Sequence, residues 1–147
     1  MKNLFSPIRI GTMEVKNRIV MAPMLTNLVE LDGMVTDVLL GYFEARAKGG
    51  AGMIITEVVT VDEEARYSSR KNLGAWDDKF IPGWRRAVDA VHSHGAKLVP
   101  QLLHPGPIDQ FHPTAPSAIP NFMTKITGLV PRELTIEEIQ NVVEDFG

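Results

Sequence analysis

Three short, largely apolar runs occur in the first two thirds of the chain. They are Ile19–Ala22, Met53–Val59 and Lys97–Leu102. Runs of this length with apolar residues on both faces are typical of buried strands in a parallel sheet. Candidate site residues follow or close each run: Ala22-Pro23-Met24, Thr56-Glu57-Val58 and Gln101 to Gly106. Because ligand sites in α/β folds collect at the carboxyl ends of the strands, the pattern indicates a site at these three ends.

A helix is predicted after each of the three runs. The first begins after Thr36, whose hydroxyl can cap free backbone N–H groups, and Gly49-Gly50 ends it after Lys48. The second starts around Phe80 and ends at Gly95. Its buried face is predicted from spacings of three and four residues between Ile81, Trp84, Val88 and Val91, with Pro82 tolerated in the first turn.

The third helix has the clearest start signal. Thr135 and Glu138 have the spacing of a capping box, in which each side chain accepts a hydrogen bond from the other residue's backbone N–H. Leu134 and Ile139 stand where a hydrophobic staple would pack. The sequence therefore predicts a helix that begins directly after Thr135.

The remaining segments are predicted to be a hairpin and two irregular stretches. Residues 4–17 resemble a β-hairpin, with Ile8–Ile10 and Met13–Val15 on either side of Gly11-Thr12. The charged segment 60–72 shows no helical periodicity and is expected to cross over the mouth of a barrel. A long loop to Arg132 contains six of the chain's ten prolines, and a loop of that length in a compact domain is usually functional or mobile.

The alternation of strands and helices predicts an α/β fold built from parallel βαβ units. Three parallel strands cannot close a barrel, and parallel strands need both faces covered. We therefore expect about the first three β/α units of a (β/α)8 TIM barrel, preceded by the β-hairpin. Residues 1–147 would form the amino-terminal part of a single barrel domain.

Composition narrows the possible functions. The chain has 15 basic and 18 acidic residues and a net charge of -3, which argues against nucleic acid or an anionic membrane as the main partner. It has no cysteine, so redox chemistry would need a bound cofactor. The amino terminus lacks the apolar region of a signal peptide, and no apolar stretch approaches about 18 residues. The expected location is the cytoplasm.

Six short motifs are distributed over nearly the whole chain. They are Leu4–Pro7, Asn17–Met24, Gly52–Glu57, Gln101–Gly106, Ala115–Ile119 and Pro131–Thr135. In this order they resemble the amino-terminal part of the Old Yellow Enzyme family. The resemblance is closest to the bacterial branch of NADH:flavin oxidoreductases and 2,4-dienoyl-CoA reductases.

The resemblance implies an activity and its cofactors. Members of that family are FMN-dependent (β/α)8 barrels that pass a hydride from NADH or NADPH to flavin N5. The hydride then goes to the activated C=C bond of an α,β-unsaturated carbonyl or enoyl-thioester compound. The implied partners are therefore FMN, NADH or NADPH as reductant, and a small unsaturated carbonyl or enoyl-CoA substrate.

Site residues follow from the same resemblance, position by position. The segment Ala22-Pro23-Met24-Leu25 would lie beside the isoalloxazine ring, and Val58 near the pyrimidine side of the flavin. Gln101 would hydrogen-bond the flavin carbonyl and ring-nitrogen edge, a task suited to an amide that both donates and accepts. His104 is a candidate for the border of the substrate pocket.

Two positions depart from the family pattern. A polar residue often follows the Pro-Met pair and tunes the flavin potential, but Leu25 stands there, with Thr26 after it. The arginine common after His104-Pro105-Gly106 is Pro107, so its ionic role is lost. The family's catalytic His, Asn and Tyr residues and its phosphate-binding loops are expected beyond residue 147, so the chain alone would be inactive.

Metal binding is not expected from the histidines. His92 and His94 are two residues apart on the predicted helix and point to different faces, while His104 and His112 are separated by a loop that contains prolines.

Two alternatives to the ene-reductase hypothesis stay open: a non-catalytic half-barrel subunit that needs a partner chain, and a TIM-barrel enzyme of other chemistry, such as an aldolase or a metal-dependent lyase. Exposed apolar strand and helix faces are expected to favour a homo-oligomer or other association.

Overall fold

The computed structural model describes residues 3–147. Met1 and Lys2, which fall within the expected 1–147 domain, lie outside the described residues. The strands are β1 (Ile8–Ile10), β2 (Met13–Val15), β3 (Val20–Met21), β4 (Met53–Thr60), β5 (Leu73–Gly74), β6 (Lys97–Leu103), β7 (Thr114–Ala115) and β8 (Arg132–Glu133). The helices are α1 (Asp37–Lys48), α2 (Ile81–His92), α3 (Phe122–Thr127) and α4 (Ile136–Asp145).

The central sheet is parallel, as the alternation of strands and helices predicts. Strand β4 lies in the middle, with β6 along one edge and β3 paired to its start through Val20 and Met53. Strand β5 also pairs with β4 in parallel, through Leu73 and Val59 at the end of β4. The strands β1 and β2 form the predicted antiparallel hairpin, with Ile8 opposite Val15. The α/β fold class is confirmed.

The hydrophobic core lies between this sheet and helices α1 and α2. Leu39 and Phe43 of α1 and Val91 of α2 are fully buried against Ile54 and Val59 of β4. The predicted cap of α1 is confirmed, because the Thr36 hydroxyl accepts a hydrogen bond from the Leu39 N–H at 3.1 Å. The two helices therefore cover one face of β4.

The long segment before Arg132 contains regular structure that the sequence analysis did not predict. Strands β7 and β8 pair in parallel across it, and α3 lies between them. The Asn121 side chain accepts from the Met123 and Thr124 N–H groups, and Gly128 ends α3 with a positive φ of 76°. Asn121 and Thr124 have the spacing of a capping box, and Gly128 is a typical residue at a helix end. These residues indicate a short helix, but the many prolines around them favoured the prediction of an irregular loop.

Two predicted boundaries and one predicted buried residue need correction. The first strand covers Val20–Met21 rather than Ile19–Ala22. The Ile19 carbonyl accepts from the Gly52 and Met53 N–H groups at the start of β4, and Pro23 has no N–H with which to extend the pairing beyond Ala22. Ile81 is 50% exposed, since it lies in the first turn of α2 and the preceding Phe80 fills the core instead. His94 lies beyond the end of α2, and its Nε2 is 3.3 Å from Glu44 Oε1.

Candidate functional site

A β-bulge in the middle of β4 sets the geometry of the candidate site. Ile55 pairs with Val99 and Val58 with Gln101, so β4 contains one more residue than β6 over this stretch. Strict alternation would put Ile54 and Val59 on opposite faces, because they are five residues apart. Both are nevertheless buried in the same hydrophobic cluster. The extra residue shifts the alternation, as bulges beside functional sites commonly do.

The bulge brings Val58 and Gln101 side by side. The two residues are register partners of β4 and β6 and therefore share a face of the sheet. Both are half-buried. Among residues 3–147 the Gln101 side-chain amide has no hydrogen-bond partner, while its backbone N–H donates to Thr56 Oγ1 at 3.3 Å. Val58 lies within β4, two residues before its end at Thr60.

The segment Ala22-Pro23-Met24-Leu25 follows β3 directly and is irregular. Met24 is 58% exposed and Leu25 is 38% exposed. The next residue, Thr26, is held to β4: its backbone N–H and its hydroxyl donate to Glu57 Oε2 at 2.6 and 2.7 Å. The segment therefore presents apolar side chains to the surface while both of its ends are attached to β4.

His104 lies one residue beyond β6. Its Nδ1 accepts a hydrogen bond from the Gly106 N–H at 3.1 Å, so the ring proton is on Nε2, which lies 3.9 Å from Asp62 Oδ2. His104 lines a cavity of about 520 Å³ together with residues of the 60–72 segment and of α4. The lining of this cavity does not include Gln101, Val58 or Met24. The structure thus brings Val58 and Gln101 together but places His104 in a neighbouring space.

The charged segment 60–72 is anchored through a buried arginine. Apart from Thr60, the last residue of β4, it contains no helix or strand, as predicted. Arg66 is 5% exposed, donates from Nε to the Glu63 carbonyl at 2.9 Å, and also donates to the Leu31 carbonyl. Its guanidinium lies over the Trp76 ring, 4.5 Å from the centroid. Burial lowers the pKa of Arg66 from its ordinary value, since desolvation disfavours the charged form.

Sequence reasoning missed the contact between Glu57 and Thr26. Glu57 is 1% exposed although it carries a carboxylate, and such groups are rarely buried without partners. A glutamate inside a largely apolar strand was the signal that could have revealed this contact.

Within residues 3–147, no three His, Cys, Asp or Glu side chains are grouped as a metal site. In the same range, no helix has the length and apolar character needed to cross a membrane.

The fold and these strand ends define an α/β protein whose candidate site lies at the carboxyl ends of parallel strands. The model of the NADH:flavin oxidoreductase / NADH oxidase family matches residues 3–147, and the chain belongs to that family. FMN, with NADH or NADPH, is the cofactor pair of this family. The predicted resemblance to the Old Yellow Enzyme family is confirmed.

Two curated relatives illustrate the similarity in sequence. The chain is 44% identical to the NADH oxidase of Thermoanaerobacter brockii over 154 residues, covering 98% of this chain and 23% of that protein. It is 43% identical to the NADPH dehydrogenase of Listeria monocytogenes serotype 4a over 154 residues, covering 99% of this chain and 43% of that protein. The chain thus spans less than half the length of these relatives.

Solved structures show the same similarity in three dimensions. The Old Yellow Enzyme from a Pichia species superposes with a TM-score of 0.87 at 26% identity, covering 99% of this chain and 41% of that one. Morphinone reductase in complex with tetrahydroNAD superposes with a TM-score of 0.83 at 28% identity, covering 97% and 44%. The fold of the described residues is therefore that of the matching part of these enzymes.

The chemistry of the strand ends fits a flavin. An isoalloxazine ring has apolar faces and a polar edge of carbonyl and N–H groups. Met24 and Leu25 offer exposed apolar surface, and the Gln101 amide, free of partners among residues 3–147, both donates and accepts. An available amide and an exposed apolar surface, both at the carboxyl ends of strands that pair with β4, are the two features that a flat ring with a polar edge requires.

Proposed function

We propose that this chain forms one wall of the FMN site of an ene-reductase-type oxidoreductase. Residues 1–147 would be the amino-terminal part of a single (β/α)8 barrel domain, with about three β/α units. The reaction would be reduction of the activated C=C bond of an α,β-unsaturated carbonyl or enoyl-thioester compound by NADH or NADPH. When bound, FMN supplies the hydride-transfer chemistry of this reaction.

The pairing of Val58 with Gln101 is the observation that carries this proposal. It places an amide with no partner among the described residues at the carboxyl end of a parallel strand, where ligands of such folds bind. Gln101 would hydrogen-bond the polar edge of the flavin, and Val58 would contact the ring beside it. The segment Ala22-Pro23-Met24-Leu25 would complete this wall with rigid backbone and apolar side chains.

His104 is proposed for the edge of the substrate pocket. His104 and Asp62 both line the cavity of about 520 Å³, and the N–H at His104 Nε2 could donate a hydrogen bond to a substrate oxygen there. The catalytic His, Asn and Tyr residues stay predicted outside residues 1–147. The chain by itself is expected to be inactive, and the expected cytoplasmic location stays a prediction.

Association is expected from the apolar surface. Ile136 of α4 is 82% exposed and Ile126 of α3 is 71% exposed, while Leu102 at the end of β6 is 43% exposed. Apolar surface of this extent favours contact with another chain or copy. We therefore propose that the isolated chain forms a homo-oligomer or associates through these faces, which gel filtration with light scattering would detect.

Titration of FMN fluorescence with the purified chain tests the cofactor site. We expect quenching on binding, and Gln101→Leu should weaken binding by about 5- to 150-fold, since one or two hydrogen bonds are each worth about 1–1.5 kcal/mol. Gln140→Leu is the matched control, because Gln140 is an exposed amide on α4. Equal affinity of the two variants, or no quenching with the unmodified chain, would contradict the proposal.

The reaction class needs a complete barrel. A chimera in which residues 3–147 replace the matching segment of the Listeria NADPH dehydrogenase would provide one. Oxidation of NADPH should then depend on a cyclic α,β-unsaturated ketone, with the saturated ketone as product. If NADPH oxidation depends on flavin but proceeds at the same rate with and without the unsaturated ketone, ene-reductase chemistry is contradicted. The proposal of an FMN site would not be affected by that result.

A further inference from the structure

We propose that Glu57 is a positioning residue that fixes the flavin-facing segment Ala22-Pro23-Met24-Leu25. The inference rests on the proposed function for the identity of the ligand. The attachment of the segment itself rests only on contacts within the described residues.

Glu57 binds Thr26 at two points. Its Oε2 accepts from the Thr26 N–H at 2.6 Å and from the Thr26 hydroxyl at 2.7 Å. The bond from the Thr26 N–H is short for an N–H···O bond, and the bond from the hydroxyl has the usual O–H···O length. The Thr26 hydroxyl also accepts from the Leu28 N–H at 3.2 Å, so its donor and acceptor sites are both used. Thr26 is therefore held in one orientation.

This contact is the second of two attachments of the segment to β4. The first is the pairing of Met21 with Ile54, and the second is the contact of Thr26 with Glu57. The five residue steps from Met21 to Thr26 could span about 17 Å when extended, whereas Ile54 and Glu57 are about 10 Å apart along the strand. The chain between the attachments has spare length, so its path depends on where Thr26 is held.

The environment of Glu57 argues against a purely stabilising role. The side chain is 1% exposed, and its Oε1 is buried without a hydrogen-bond partner among residues 3–147. A buried carboxylate oxygen without a partner is costly. Glu57 lies within the bulge between Ile55 and Val58 and binds a segment of another strand end, so its burial at this cost points to positioning rather than packing.

Three variants separate the hydrogen bonds from the burial. Glu57→Gln keeps a carbonyl acceptor for Thr26, and Glu57→Leu keeps the bulk without an acceptor. Thr26→Val removes the two hydrogen bonds of the hydroxyl, to Glu57 and from the Leu28 N–H, and keeps the backbone N–H bond to Glu57. Thr26→Val is the mild variant if Glu57→Leu fails to fold. Each would be measured by hydrogen–deuterium exchange of residues 21–28 and by FMN titration of the purified chain.

Asp109 provides a matched control. It is also 1% exposed, and its Oδ1 accepts from the Phe111 and His112 N–H groups at 2.7 and 3.1 Å. Its Oδ2 is buried without a partner among residues 3–147. Asp109→Leu therefore removes the same kind of buried carboxylate at a position whose hydrogen bonds, among residues 3–147, do not involve the 22–26 segment.

We expect Glu57→Leu to speed exchange of the Thr26 amide at least about tenfold, as loss of its hydrogen bonds to Thr26 implies. FMN binding should weaken about five- to tenfold, less than in Gln101→Leu, because the segment beside the ring is released but no bond to FMN is removed. Thr26→Val should show part of each effect, and Glu57→Gln should restore both. Asp109→Leu should change neither. A changed visible spectrum of bound FMN in Glu57→Leu would report a displaced ring rather than a general loss of stability.

Unchanged exchange at Thr26 in Glu57→Leu, or in Thr26→Val if the former does not fold, would overturn the proposal. Faster exchange with FMN affinity equal to that of Asp109→Leu would also overturn it, because the segment would then not matter to the ligand. Absence of FMN binding by the unmodified chain would contradict the proposed function instead. The exchange data would still decide whether Glu57 holds Thr26.

Discussion

Val58 and Gln101 lie directly opposite each other in the parallel pairing of β4 and β6. Their neighbours Val59 and Leu102 are paired in the same register, and Val59 points into the core. Val58 therefore points to the other face, where the Gln101 amide lies. The size of the residue at position 58 should decide how closely a flat ligand can approach that amide.

Val58→Phe should weaken FMN binding about tenfold or more, because the larger ring would occupy space beside Gln101 that the flavin needs. Its effect on the free energy of unfolding should stay within about 1–3 kcal/mol, the usual range for an added bulky group at a partly buried site. FMN fluorescence titration and urea unfolding would measure the two effects. Val38→Phe on the exposed face of α1, where Val38 is 65% exposed, should leave FMN affinity unchanged.

Much of the scaffold was predictable because its signals are local. The caps of α1 and α4 and the turn at Gly11 each depend on residues within a few positions of one another. The same holds for the apolar runs of β4 and β6. Such patterns can be interpreted without knowledge of the tertiary structure, because helix capping and strand burial depend on residues close together in sequence. The three parallel strands and the hairpin followed from them.

The geometry of the candidate site was harder to predict because it depends on long-range pairing. The bulge between Ile55 and Val58 exists only relative to β6, about forty residues away in sequence. The contact between Glu57 and Thr26 joins residues 31 positions apart. The sequence pointed to Gln101 through its motif, but it did not indicate that Val58 would be its register partner.

Gly52 should be intolerant of any side chain. A Cβ at this position would collide with Asn17 Oδ1 and would lie 2.8 Å from the Asn17 carbonyl oxygen. Asn17 cannot easily move, since its Nδ2 donates to the Gly50 carbonyl at 2.8 Å and its Oδ1 accepts from the Ile19 N–H at 3.0 Å. Gly52→Ala should therefore lower the free energy of unfolding by about 1–3 kcal/mol.

Gly41→Ala is the matched control for this substitution. Gly41 lies inside α1, and a Cβ there would meet nothing within 4 Å. Alanine should raise the free energy of unfolding by about 0.5–1 kcal/mol, the usual difference between the two residues in a helix. Urea unfolding of both variants should thus give shifts of opposite sign. A destabilised Gly41→Ala, or a neutral Gly52→Ala, would contradict the packing described for these two positions.

The start of α4 should depend on pH through Glu138. Its carboxylate accepts from Arg132 Nη2 at 2.8 Å and from the Thr135 N–H at 2.8 Å. These contacts, the Arg132 hydrogen bond first, lower the pKa of Glu138 from its ordinary value of 4.5 to about 2. Because the pKa is lower in the folded state, the stabilisation is fully present above pH 4.5 and is lost as the pH falls through about 2.

We therefore expect the first turn of α4 to lose protection against hydrogen exchange between about pH 4.5 and 2, with a matching loss of helical circular dichroism. The helix has no buried residue, so this change should precede global unfolding rather than cause it. Glu138→Gln should abolish the pH dependence and leave the turn frayed throughout, because a neutral amide cannot replace the ion pair. Glu137→Gln, one residue earlier, should retain it. If the turn keeps its protection at pH 2, or if Glu137→Gln behaves like Glu138→Gln, the ion pair with Arg132 does not hold the start of this helix.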